Sequence, residues 1–235
     1  MKIFSQYYVI ARIFPATLSS VPFFILHYFF LRDRIGDFLI ELSSIKWLSD
    51  VTISVALIFL LVQISRLISK EFYEKIIYSD GLGLPTTNYL LHLDSFYSAE
   101  FTKKIHQKIF NDFNINIPSA KKEISDEIGS RKKIAEAVNL IRTKVGAGNL
   151  VQQHNIEYGF IRNIIGGSVI ATIVSILNAV IFYWIYFDKI AFILSGIIAI
   201  VYLLLVGFGK KLIHSFGTAY ARVLIQEYMS KKLGK

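Results

Sequence analysis

Cysteine is absent from the 235 residues, so this chain can build no disulfide, thiolate metal site or cysteine nucleophile. Charge is scarce: Asp, Glu, Lys and Arg make up 18% of the chain, against 54% hydrophobic residues. With a mean hydropathy of +0.49, the sequence is too apolar to clothe a water-facing surface or to stay disordered. Catalytic signatures are missing as well. There is no Gly-x-Ser-x-Gly, no His-xxx-His and no His-Glu-xx-His, which removes the usual marks of a serine hydrolase or a zinc site. Gly81-Leu-Gly-Leu-Pro-Thr-Thr has no strand before it and no Gly-Lys-Ser/Thr ending, so it reads as a structured turn rather than a phosphate loop. No cofactor or metal is expected.

What the chain does contain is long apolar runs. Four are long enough to cross a bilayer: 14–31, 51–68, 164–187 and 190–208. At about 1.5 Å per residue they reach roughly 27 to 36 Å, against a hydrocarbon core of about 30 Å. Pro15, Pro22 and His27 interrupt the first, which is therefore expected to be a kinked span. The fold class expected is an all-α membrane protein with two transmembrane hairpins. Residues 1–68 form the first, 69–163 a helical cytoplasmic domain, 164–208 the second hairpin, and 209–235 a basic amphipathic tail.

The excess of positive charge, +9 overall, follows this layout. The N-terminus, the central segment with Arg66, and the tail hold 22 Lys and Arg against 12 acids. The two short connections, 32–50 and 188–189, hold 4 against 5. The positive-inside rule puts both termini and the central segment in the cytoplasm, so the charge reports topology rather than nucleic-acid binding. Trp47, Tyr183, Trp184 and Tyr186 stand where aromatic belts belong, and the apolar spacing of 35–49 predicts a segment lying along the outer interface.

Within the central segment, Thr86 or Thr87 is expected to cap a short helix over 88–93. A second helix is expected over 98–113, with Phe101, Ile105, Ile109 and Phe113 on one stripe, then a break over 114–119. A third helix should start with Ser130 as N-cap and carry Ile134, Val138, Ile141 and Val145, ending at Gly146. A fourth should begin near Asn149 and run into the third span. Beyond Lys210 the fourth span should continue as a helix, with Ile213, Phe216, Tyr220, Leu224 and Tyr228 meeting either anionic lipid or the cytoplasmic bundle.

Three groups of residues are candidates for function. Thr86, Thr87, His92 and Asp94 could meet a ligand or partner. Just before the third span, Asn155, Glu157, Tyr158, Arg162 and Asn163 could form a polar collar coupling the domain to the bundle; on the simpler reading Arg162 is an interfacial anchor. Inside the span, Gly167, Ala171, Ser175 and Ala179 recur every four residues beside Asn178, a stripe suited to close helix packing within the chain or between copies. No Asp, Glu, Lys or Arg lies deep in a span, which weighs against ion-coupled transport.

Residues 82–94, LGLPTTNYLLHLD, and 152–163, QQHNIEYGFIRN, resemble the two signature stretches of a family of uncharacterised bacterial four-span inner-membrane proteins. The resemblance covers the central domain and its junction with the third span, about half the chain. Gln153-His154-Asn155 stands where that family tends to have Glu-Asn. The resemblance brings no settled activity. By analogy with small multi-span proteins of this layout, it implies a membrane-acting effector or sensor in bacterial antiviral defence. The expected function is thus an oligomeric effector whose cytoplasmic domain answers a ligand or partner and permeabilises or depolarises the membrane. Its partners would be the lipid bilayer, further copies of itself, and a soluble protein or small-molecule signal. Two rivals stand beside it: a non-conducting anchor that recruits a soluble partner, and an enzyme acting on a lipid substrate through His92, Asp94 and His154.

Overall fold

The computed structural model describes residues 5–31, 46–79, 81–146 and 148–231. They are helical nearly throughout, with no strand among them. The helices are α1 (Gln6–Phe29), α2 (Lys46–Ile68, prolonged through Ser69–Glu74 and Lys75–Tyr78), α3 (Pro85–Asn88), α4 (Ala99–Phe113), α5 (Ala120–Ser125), α6 (Glu127–Val145), α7 (Asn149–Trp184) and α8 (Lys189–Ser230). Four of them contain stretches long and apolar enough to cross a membrane: Gln6–Phe29, Val51–Tyr78, Leu150–Trp184 and Lys189–Ser230. This supports a multi-pass membrane protein. The interfacial segment expected over 35–49 lies largely outside the described residues, as does the Trp47 side chain. The third apolar helix ends at Trp184 rather than 187. Phe187 takes φ 55°, a conformation that breaks a right-handed helix, and Asp188 Oδ1 then accepts the Ile190 and Ala191 N–H groups to start α8.

The chain divides into two compact units, Met1–Tyr73 with Gly159–Lys211, and Glu74–Tyr158 with Leu212–Lys235. In the first, Ile25, Leu61, Val62, Ile165 and Phe182 are buried, but many large apolar side chains point outward while small and polar ones point inward. On α7, Ile173, Ile176, Leu177 and Val180 are exposed at helical spacing, while Ser168, Ala171, Thr172, Ser175 and Asn178 are buried. That is the inverse of a water-soluble helix and suits a lipid solvent, where close packing rather than hydrophobicity draws helices together. The buried hydroxyls are satisfied on their own helix: Ser168, Thr172 and Ser175 each donate to the carbonyl four residues back at 2.7 Å.

Helix α1 shows how two prolines are accommodated. Pro15 cannot donate to Ala11 O, four residues back, and Asn163 Nδ2 donates to that carbonyl at 2.5 Å. Pro22 likewise cannot donate to Leu18 O, which receives the Tyr202 hydroxyl at 2.5 Å. The chain widens into π-type turns at Val9–Ile13, just before Pro15, and Thr17, Ser19 and Ser20 hydroxyls bond carbonyls of their own helix. In an apolar medium each orphaned carbonyl would be costly, so side chains from α7 and α8 fix where α1 lies.

The second unit is a helical bundle around Leu90, Ile105, Ile109, Ile134, Ile141, Leu224 and Tyr228, each under 2% exposed. Ser98 caps α4, and Asn114 at φ 56° ends it. Two expected boundaries are corrected. Helix α6 is capped by Asp126, which accepts the Gly129 N–H at 2.9 Å, and Ser130 lies buried inside it; the carboxylate one turn earlier took the role assigned to the hydroxyl. The short helix spans Pro85–Asn88 instead of 88–93. Pro85, with no N–H to satisfy, opens it, so Thr86 and Thr87 lie inside and buried rather than capping. The α5 turn was not anticipated.

Of the two placements open to the tail, the stripe ending α8 packs on this bundle. There it closes two helix ends with matched charge. Glu227 Oε1 accepts Val151 N–H in the first turn of α7, and the Lys231 ammonium donates to Val145 O in the last turn of α6, which Gly146 ends at φ 65°.

Candidate functional site

The turn over 78–94 lies in the second unit and is held from several sides. Tyr78 O accepts both Gly81 N–H and Gly83 N–H, a geometry reached through Ser79 at φ 45° and Gly81 at φ 88°. Asn88 Nδ2 donates back to Gly83 O at 3.1 Å. From α6, the Arg131 guanidinium donates to Asn88 Oδ1 at 2.7 Å, to Leu82 O at 3.3 Å and to Glu127 Oε1 at 2.8 Å, stapling the turn to the helix. Arg142 reaches Thr86 Oγ1 at 3.4 Å.

The Glu123 carboxylate is buried, and its two oxygens accept His92 N–H at 2.9 Å and Leu93 N–H at 3.3 Å, fixing the end of the turn. His106 Nε2–H donates to Leu90 O at 2.7 Å, and its ring meets His92 edge-on at 4.5 Å. Burial pushes the His106 pKa below its ordinary value, outweighing the Leu90 carbonyl and keeping the ring neutral. Asp94 Oδ1 accepts Phe96 N–H at 2.8 Å in an Asx turn. Beside these groups opens a cleft of about 440 Å³, bordered by Leu93, Asp94, Glu123, Ile124, Glu127 and Arg131.

The sequence candidates separate accordingly. Thr86 and Thr87 are buried, while His92 is exposed and Asp94 borders the cleft. Of the collar, Asn155, Glu157 and Tyr158 belong to the second unit, and Arg162 and Asn163 to the first. Tyr158 donates to Glu74 Oε1 at 2.5 Å and stacks on Tyr220, with centroids 6.3 Å apart. Glu157 takes Gln153 Nε2 at 3.1 Å and His154 Nδ1 at 3.2 Å, both on its own helix. Half-buried Asn155 sits on the same helix. Arg162 is buried, and its backbone oxygen accepts the Ser69 hydroxyl at 2.8 Å. Asn163 donates its Nδ2 to Ala11 O.

The small-residue stripe is taken up within the chain. A Cβ at Gly167 would collide with the side chain of Ser19 and crowd that of Ser65, and Ala171 and Ser175 are fully buried, with Ala179 partly so. Asn178 Nδ2 donates to Pro22 O at 2.7 Å. No group of three His, Asp or Glu that could hold a metal occurs among the described residues.

Sequence reasoning missed Asn88, Glu123, Ile124, Glu127 and Arg131. For the residues of 121–133 the only sequence signal was the acid–base alternation of that segment, which reads equally as a solvated helix face. It also missed a buried charge cluster. Asp112, with no exposed side-chain surface, forms an ion pair with the Lys144 ammonium at 2.7 Å and accepts the Tyr228 hydroxyl at 2.8 Å, with Lys108 at 3.9 Å. Burial alone would raise the Asp112 pKa, but Lys144, Tyr228 and Lys108 together hold it below the ordinary value. Compared with protein-family models, curated proteins and solved structures, the chain finds no match.

Proposed function

We propose that this chain is a multi-pass protein of the bacterial inner membrane, its termini and its Glu74–Tyr158 and Leu212–Lys235 unit in the cytoplasm. In this reading that unit is a sensor or docking platform that recruits a soluble partner to the membrane without conducting ions. The orientation rests on the charge asymmetry across the spans. One observation carries the choice over permeabilisation: the amide donors of two asparagines and a tyrosine hydroxyl on the apolar helices bond to carbonyls of α1 within the same chain. Asn178 is bonded to Pro22 O, Asn163 to Ala11 O and Tyr202 to Leu18 O, while Gly167 is pressed against Ser19 and Ser65. A residue so committed supports packing of the bundle rather than a wet path through it. The second unit, by contrast, has an open cleft edged by both charged and apolar side chains.

The test is inducible expression in bacteria, with membrane potential followed by a voltage-sensitive dye and neighbours identified by proximity labelling from the C-terminus. An intact potential together with enrichment of a defined soluble protein is the expected result. Rapid depolarisation, abolished by Asn178→Leu in a protein that still inserts, would overturn it in favour of an oligomeric permeabilising effector.

A further inference from the structure

We propose that the cleft edged by Leu93, Asp94, Glu123, Ile124, Glu127 and Arg131 is the docking site for a cationic amphipathic segment of a soluble protein, an inference that rests on the recruiting role above. Three features of the cleft specify that occupant. Leu93 is 63% exposed and Ile124 74%, two large apolar side chains that stand together at the edge of the cleft. Next to them stand the carboxylates of Asp94 and Glu127, with buried Glu123 behind them, against one cation, Arg131. Arg131 is already committed to Glu127, Asn88 and Leu82 O. The cleft is therefore net negative on a chain whose formal charge is +9.

Carboxylates repel an anionic bilayer surface, so the exposed Leu93 and Ile124 are poorly suited to insertion in lipid headgroups. Asp94 and Glu127 attract lysines and arginines, and the apolar pair accepts the nonpolar stripe of a helix laid in the groove. The backbone of the cleft is set in advance by Glu123 holding His92 and Leu93 N–H groups and by Arg131 holding the turn, so little ordering is required on binding.

The test uses the full chain in zwitterionic lipid nanodiscs and two fluorescein-labelled probes, a Leu/Lys amphipathic peptide and its Leu/Glu counterpart, read by anisotropy against empty discs. The Leu/Lys peptide should bind above the empty-disc baseline, more weakly as salt rises, and the Leu/Glu peptide should not. Ile124→Asp should weaken the Leu/Lys peptide about tenfold or more, as loss of an apolar anchor does, and Glu127→Gln should weaken it less. Ile124→Val should retain binding. Ile124 is exposed, so these variants keep the fold, checked by helicity. Binding that Ile124→Asp leaves unchanged, or that empty discs reproduce, overturns the proposal. Proximity labelling separates its failure from that of the recruiting role. A soluble protein recruited equally by the native chain and by Ile124→Asp leaves recruitment standing and removes the cleft. Absence of any recruited protein removes the recruiting role, and the peptide titration still decides whether the cleft takes a cationic segment.

Discussion

Asp112→Ala removes the acceptor at the centre of a buried cluster. The native carboxylate has no exposed side-chain surface, forms an ion pair with Lys144 and accepts the Tyr228 hydroxyl, with Lys108 as a third, longer partner. Deleting one member of a buried ion pair costs about 3–5 kcal/mol, chiefly because the remaining charge stays uncompensated. Here Lys144 is 29% exposed, so water can rehydrate it, and the lower end, about 3 kcal/mol, applies. At 1.4 kcal/mol per tenfold, hydrogen-exchange protection in the α4 and α6 core should fall about a hundredfold. Asp112→Asn keeps an acceptor for Tyr228 and loses only the charge, so its loss should be smaller.

The pH dependence has a definite sign. Because the folded-state pKa of Asp112 lies below its ordinary value, its stabilisation is complete above that ordinary value. It is lost as pH falls through the depressed one. The gap between native protein and Asp112→Asn should therefore narrow in acid, measured by denaturant unfolding followed by circular dichroism. A gap that widens in acid, or protection unchanged in Asp112→Ala at neutral pH, would refute this account of the cluster.

The proline pairing makes a second prediction: Asn163→Leu should destabilise the bundle by about 1 kcal/mol, typical of an interhelical bond in lipid, and less in a Pro15→Ala background, where an N–H can serve Ala11 O. Thermal unfolding in detergent closes that double-mutant cycle, and additivity would sink it. Gly167→Ala should lower the unfolding midpoint, because its Cβ strikes Ser19, whereas Gly196→Ala, which meets nothing within 4 Å, should leave it unchanged or raise it. Arg131→Met should loosen the turn over 82–88 without melting the bundle, seen as faster exchange of the Thr87 and Asn88 amides, since Arg131 serves the turn and not the core.

The apolar runs by themselves determined that the chain has four helices long and apolar enough to cross a membrane, because length and hydropathy are local properties that need no partner. The continuity of α7 and α8 beyond their spans was legible for the same reason: nothing in residues 149–164 or 208–230 breaks a helix. The stripes of α4 and α6 followed from their spacing. Helix starts were less legible where two capping residues competed, as Asp126 and Ser130 did. What only the tertiary structure decided was where polar groups are spent. Asn163 meets a carbonyl 152 residues away and Asn178 one 156 residues away, and no spacing rule connects positions so distant. Read alone, Asn178 was a lone amide in hydrocarbon that could line a pore or bind a helix. Placed against Pro22, it bonds a helix, because an amide buried in an apolar medium takes the nearest carbonyl that its neighbours leave accessible. The cleft arose in the same way, from a turn, a six-residue helix and the first turn of α6 that converge only when the core beneath them is packed.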